Sequence, residues 1–345
     1  MKGDDVMLWY EMTGRDSDVV VSSRVRLARN LTDFPFGDRL NEPSAKEIIE
    51  KVKNVFESES GYTFTDFSAL DSISRAAEAN RHKVSLEFAQ SGGPTALIES
   101  DEKQIYIMVL EEDHIRIQSI KPGSSLAESY EAAREADRLI DKRLNVAYDE
   151  KLGYLTHCPT NLGTGMRASV MMFLPALTMK GGIRSLQNQL GKIGLTIRGM
   201  TGEGSSADGC LYQISNQVTL GSTEEEIITK LDKICETIVE QERELRRKLM
   251  NGSDGKFVNK IMRSYGIMLY ATLVDSAELA QLYADVRLGA ALGIIDNLPL
   301  NTLDKMLIHG MSGVLMSENK GVKTPSERDV ARANMIRRVM TGNKN

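Results

Sequence analysis

The sequence predicts an α+β protein whose strands come early and whose closing segment is all helix. Three observations carry this. Short apolar runs bounded by polar corners, such as Ile105-Tyr106-Ile107-Met108-Val109-Leu110, have the length and β-branched content of strands. Signatures of the form Ser-x-x-Glu stand ahead of helical periodicity at Ser125 and Ser222. From residue 256 to 345 apolar residues recur at helical spacing with almost no strand pattern.

The first strand falls at Val19-Val20-Val21, and the run 105–110 gives another. Ile115 and Ile117 alternate beyond the acidic corner Glu111-Glu112-Asp113 and give a third. Ser125-x-x-Glu128 opens a helix to about Leu144. Tyr154 to Cys158 reads as a strand leading through Arg167 into a helix at about Ala168 to Leu177. Ser222-x-x-Glu225 opens a further helix whose stripe is Ile227, Leu231, Ile234 and Ile238. That helix runs to the polar break Asn251-Gly252-Ser253-Asp254-Gly255, which divides a domain of residues 1–251 from a helical one of residues 256–345.

A length of 345 residues suits about two domains. The longest nearly apolar run, Val170 to Met179, falls far short of the ~20 residues of a membrane span. Met1-Lys2-Gly3-Asp4-Asp5 has no apolar core of a secretory signal, and three unpaired cysteines suit a reducing cytoplasm. The net charge of −5 excludes a globally basic, nucleic-acid-binding surface.

Charge is concentrated locally. Lys151 through Gly202 contain no Asp or Glu but carry Lys151, Arg167, Lys180, Arg184, Lys192 and Arg198, and Ser22-Ser23-Arg24-Val25-Arg26-Leu27-Ala28-Arg29 forms a second basic patch. Together they can build a polyanion pocket. The P-loop pattern is absent, and Gly163-Thr164-Gly165-Met166-Arg167-Ala168 lacks the downstream acid of a dinucleotide fold. Cys158, Cys210 and Cys235 are isolated and the four histidines lack ligand spacing, which argues against zinc.

Three motifs remain: Glu111-Glu112-Asp113-His114-x-Arg116, Cys158-Pro159-Thr160-Asn161-Leu162-Gly163-Thr164-Gly165-x-Arg167 and Arg198-Gly199-x-x-Gly202-Glu203. The second places small residues where backbone N–H groups can approach an anion. With Ser22-Ser23-Arg24-Val25-Arg26 ahead of them, the set resembles the ATP:guanido phosphotransferases, the family of creatine and arginine kinases. It is most similar to the bacterial protein arginine kinases of the McsB type, which Ser215-Asn216-Gln217, Arg287-Leu288-Gly289 and Arg328-Asp329-Val330-Ala331-Arg332-Ala333 also resemble.

The resemblance implies an antiparallel sheet flanked by helices, followed by the all-helical domain. It implies ATP as phosphoryl donor, with Mg2+ held mainly through the nucleotide phosphates, and a phosphate clamp of Arg24, Arg26, Arg116, Arg167 and Arg198. Arginine forks suit phosphate oxygens better than ammonium groups do. The nucleophile is a guanidinium, protonated and unreactive at neutral pH, so carboxylates must hold it and accept its proton. Glu111, Glu112 and Glu203 match the family's substrate carboxylates, with Glu112 as base, and Cys158 matches a reactive cysteine that orients the substrate. A dyad of Cys158 with the adjacent His157 is not expected, since neighbours on a strand face opposite sides.

The first arginine motif begins at Ser22, which leaves no room for the N-terminal helical domain that small-substrate members close over their substrate. An open site for an arginine on a protein is therefore expected. Arg328, Asp329 and Arg332 are implied to form a phosphoarginine receptor, with both arginines on one helix face and able to reach one anion. A homodimer, an activator protein, a Clp ATPase and a role in stress response are implied partners and context. The alternatives are a kinase of free arginine or another small guanidino compound, or a phosphoarginine-binding adaptor with weakened catalysis. Two departures from the family pattern bear on this: Leu110 stands where the family has Asn, and the expected His-containing segment around Lys83 to Asp101 is replaced.

Overall fold

The computed structural model describes residues 7–199, 208–252 and 255–342. Ten strands are present among the described residues: β1 (Val20–Arg29), β2 (Thr63–Asp66), β3 (Ala96–Ser100), β4 (Ile105–Val109), β5 (Ile115–Pro122), β6 (Tyr148–Asp149), β7 (Gly153–Tyr154), β8 (Met166–Phe173), β9 (Leu195–Gly199) and β10 (Leu211–Asn216). Eight of them form one antiparallel sheet in the order β2-β3-β4-β5-β1-β8-β10-β9, and β6 and β7 form a separate hairpin.

Period-two alternation sorts the side chains of this sheet onto two unlike faces. Val25, Leu27, Ile107, Ile117, Val170 and Ile214 point to one core. It is covered by α1 (Glu42–Phe56), α4 (Leu126–Asp141), α6 (Ile183–Lys192) and α7 (Glu224–Asn251). The opposite face is divided. Its polar part carries the arginines. Its apolar part, with Tyr106, Met108, Ile120, Phe173 and Leu211, joins a second core.

That second core also takes in α2 (Ser72–Asn80), α3 (Leu86–Gln90) and the closing helices α8 (Lys256–Tyr270), α9 (Ser276–Ala291), α10 (Leu300–Gly310), α11 (Ser312–Glu318) and α12 (Pro325–Thr341). The short α5 (Pro175–Met179) is held to α7 by Glu242, whose carboxylate accepts from the backbone N–H groups of Ala176 and Leu177 at 3.0 and 2.9 Å.

Three local expectations are corrected. The expected helix at Ala168 to Leu177 is strand β8 followed by α5. Val170 through Phe173 are apolar on both faces because both faces of the sheet are covered there, which hides the alternation that Arg167 and Ser169 would otherwise reveal. The α7 capping box is formed by Thr223 and Glu226, one residue beyond Ser222 and Glu225. Ser125 caps nothing with its side chain, because its hydroxyl donates to Pro122 O at 2.7 Å.

Candidate active site

Antiparallel register gathers the arginines. On β1, Arg26 stands opposite Arg167 of β8 on one side and Gln118 of β5 on the other, while Ala28 pairs with Arg116. Arg198 of β9 stands opposite Gln213 of β10. Arg24, Arg26, Arg116, Arg167 and Arg198 therefore project from one face of four strands, β5, β1, β8 and β9. Arg24 donates to Gln213 and Ser169, and Arg167 Nη2 to Ser215 Oγ at 3.1 Å.

The neighbouring positive charges and burial disfavour each other's protonation. Burial, with Arg167 and Arg116 close by, pushes Arg24 down to about 10. Arg26 is depressed well below its ordinary value by burial, with Arg24, Arg116 and Arg167 adding to it. Guanidinium groups nonetheless keep their proton in proteins, so this face demands a polyanion. Two buried donors, Arg26 Nε and Arg167 Nε, find no acceptor among the described residues. A polyphosphate fits this donor set. Arg29, the last arginine of the sequence patch, points the other way and is structural: it makes a forked ion pair with Asp137 and stacks 3.4 Å over the Tyr154 ring.

The turn after β4 carries the carboxylates. Leu110 adopts a left-handed φ of +68°, a conformation that asparagine tolerates far better than leucine, and its N–H donates to His114 O at 2.8 Å. Glu111 is nearly buried, with 5% of its side chain exposed, and Glu112 is 38% exposed. Arg116 bridges them, from Nη1 to Glu111 Oε1 at 2.7 Å and from Nη2 to Glu112 Oε2 at 3.0 Å.

Asp113 and His114 are 2% exposed and anchor this turn. Asp113 Oδ1 accepts from Asn30 Nδ2 and from the His157 N–H, both at 2.7 Å. Leu31 N–H donates to His114 Nδ1 at 3.1 Å, which leaves Nε2 to donate to Pro35 O at 3.1 Å. Burial lowers the His114 pKa in keeping with a neutral ring.

The Cys158–Gly165 loop leads into strand β8, so the expected helix start at Ala168 is absent from this loop. Its glycines serve packing. Gly165, at φ +62°, lies so close to β1 that a Cβ would stand 2.7 Å from Ala28 O. Thr160 and Asn161 line a cleft of about 1340 Å³ with Arg26, Glu112, Arg116 and Arg167, and Cys158 Sγ lies 3.0 Å from Thr160 Oγ1 at its border. The expected strand Tyr154 to Cys158 is corrected: β7 ends at Tyr154 and His157 and Cys158 lie in a bend, so strand alternation does not set their side chains apart. Glu203 lies outside the described residues.

The model of the ATP:guanido phosphotransferase C-terminal catalytic domain matches residues 44–245, and that of the protein-arginine kinase McsB C-terminal domain matches residues 255–345. The chain belongs to the ATP:guanido phosphotransferase family. Among curated relatives, a protein-arginine kinase of Geobacillus stearothermophilus is 43% identical over 96% of this chain and 93% of its own length. One of Clostridium acetobutylicum is 38% identical over 95% and 98%. Of solved structures, the substrate-free duplicated taurocyamine kinase of Schistosoma mansoni shares the fold with TM-score 0.60 and 24% identity, over 78% of this chain and 42% of that one. Lombricine kinase does so with TM-score 0.59 and 22% identity, over 71% of each chain.

In this phosphotransferase the arginine face continues beneath α9 and α10 into a narrow, mainly apolar crevice. Arg24 and Ser169 stand at its polar end, and Trp9, His82, Met171 and Leu307 supply its walls. Nothing in the sequence marks His82, because histidine spacing speaks only to zinc and the altered segment begins one residue downstream. Burial beside Arg24 lowers its pKa from 6.5 to about 4. Between those values the unfolded chain takes up a proton that the folded chain refuses, so stability falls as pH drops through that window. His82→Gln should flatten this fall, as read from urea midpoints at a series of pH values; an unchanged slope would mean that His82 titrates normally.

The α12 arginines are spaced as expected but differ in exposure. Arg332 is 1% exposed, and its guanidinium donates to Gly310 O at 2.8 Å, Val274 O at 2.7 Å and Asp329 Oδ1 at 2.8 Å. The expectation that both arginines reach out to one anion is corrected for Arg332, because the N-terminal end of α12 packs onto the end of α10 and its side chain fills the junction. Arg328 is half-buried and donates to Lys323 O at 3.2 Å. Arg332→Ala should cost ~3 kcal/mol or more by stranding two buried carbonyls and Asp329, whereas Arg328→Ala should stay within ~0.5 kcal/mol. Denaturant midpoints test both.

Proposed function

We propose that the chain is a protein-arginine kinase, transferring the γ-phosphoryl group of ATP to arginine side chains of proteins. The observation that carries this is the single face of five arginines, two of whose buried Nε donors find no acceptor among the described residues. The polyphosphate would lie on these arginines, with Mg2+ entering on its oxygens. Glu112, with Glu203, would hold the substrate guanidinium. As its nitrogen attacks the γ-phosphorus and the bond to ADP breaks, Glu112 would take the proton. Cys158 would orient the substrate from the cleft's border.

The identity to curated protein-arginine kinases along nearly the whole chain supports a protein substrate. On the same ground we propose residues 1–251 as the catalytic domain and residues 256–345 as a domain for dimerisation and phosphoarginine reception. There Arg328 and Asp329 would contact the ligand, and Arg332 would hold Asp329 in place. A cytoplasmic stress response, with an activator protein and a Clp ATPase downstream, completes the proposal. No described helix is long and apolar enough to cross a membrane.

Incubation with γ-labelled ATP and either an arginine-containing protein or free arginine tests this reading. Acid-labile label in the protein is expected. Label in free arginine alone would assign a small-guanidino kinase, and no label in either would leave a phosphoarginine-binding adaptor.

A further inference from the structure

Ser85 stands ahead of α3 at the edge of the cleft, and its hydroxyl reaches the acidic turn after β4. Ser85 Oγ accepts from the Phe88 N–H at 3.1 Å, as the N-cap of α3, and lies 2.7 Å from Glu111 Oε1. An N–H cannot accept and an ionised carboxylate cannot donate, so the hydroxyl's one proton must point at Glu111. Glu111 then holds three donors: Ser85 Oγ, Arg116 Nη1 at 2.7 Å and the Glu112 N–H at 2.7 Å. With 5% of its side chain exposed and its oxygens engaged, Glu111 is a strut. Its two other partners are the backbone of Glu112 and the guanidinium of Arg116.

We propose that Ser85 is a positioning residue for phosphoryl transfer, fixing Glu111 and thereby the aim of Glu112 at the substrate guanidinium and of Arg116 at the transferred phosphoryl group. This rests on the roles given to Glu112 and Arg116 above. A small displacement of aligned groups slows a reaction far more than the strength of one hydrogen bond would suggest.

Ser85 also caps a helix, so the variants must separate the two roles. Ser85→Thr keeps hydroxyl and cap. Ser85→Ala removes both. Ser85→Asp keeps a strong N-cap acceptor but sets a second carboxylate against Glu111. With a protein substrate, kcat should fall ~10-fold or more in Ser85→Ala and Ser85→Asp and recover in Ser85→Thr, with the KM for the protein substrate little changed. Thermal stability should fall in Ser85→Ala and stay near parental in Ser85→Asp. If Ser85→Asp retained parental kcat, or if kcat in Ser85→Ala were parental despite the missing cap, the positioning role would be overturned. Glu112→Gln assayed alongside reports separately on the base: its turnover can survive or vanish independently of the order among the Ser85 variants.

Discussion

Glu112→Gln should lower kcat by ~100-fold or more while leaving ATP affinity in place. Glutamine retains a carbonyl oxygen for Arg116 Nη2, now 3.0 Å from Glu112 Oε2, so the arginine stays aimed and only the proton acceptor is removed. The partial exposure of Glu112 beside an almost enclosed Glu111 is what assigns it this work: among the described residues only Arg116 donates to its carboxylate, and its other side is open toward the cleft. Single-turnover kinetics with a protein substrate measure the effect. Near-parental turnover would remove Glu112 as the base.

Arg26→Met should abolish useful phosphoryl transfer and at the same time stabilise the protein. Arg26 stands at the centre of the clamp, opposite Arg167, with no acceptor for its Nε among the described residues. Removing one phosphate-binding guanidinium from a phosphoryl-transfer site costs ~10³-fold or more. In the free protein the same side chain is a burden, since burial and three neighbouring arginines all oppose its charge. Methionine keeps much of the volume and removes the repulsion, so unfolding free energy should rise by ~1–2 kcal/mol. Activity and chemical denaturation on one preparation decide it. A variant both inactive and destabilised would mean that Arg26 serves packing more than electrostatics.

The sequence made the clamp legible because its arginines lie in motifs whose order and residue types are distinctive. Their convergence comes from strand register, which alternation around Arg24-Val25-Arg26 hints at and long-range pairing decides. Helix starts were legible to within a residue where a real box existed, as at Thr223, and misleading where the hydroxyl found a nearer acceptor, as at Ser125. Ser85 and the cleft-lining Glu87 fell within the altered segment without a role, and His82 and Trp9 were out of reach, because nothing local marks a side chain whose surroundings depend on a strand dozens of residues away. Arg332 misled for the same reason: helix spacing shows that two residues share a side and says nothing of what packs against it.

The polar break near residue 252 separates two stretches of sequence, but no seam in the hydrophobic interior follows it. Trp9, Tyr106, Phe173 and Leu211 share a core with Tyr283, Leu303 and Ile336. Arg287, fully buried, joins Asp304 of α10 to the carbonyls of Ser17 and Asp18 ahead of β1. A protease cutting between residues 251 and 256 should therefore leave two fragments that travel together on a sizing column and melt in one transition. A gene ending at 251 should give aggregates rather than a smaller kinase. Inheritance of the closing helices is thus obligatory, so grafting this catalytic sheet onto another partner domain would require rebuilding one whole side of its interior.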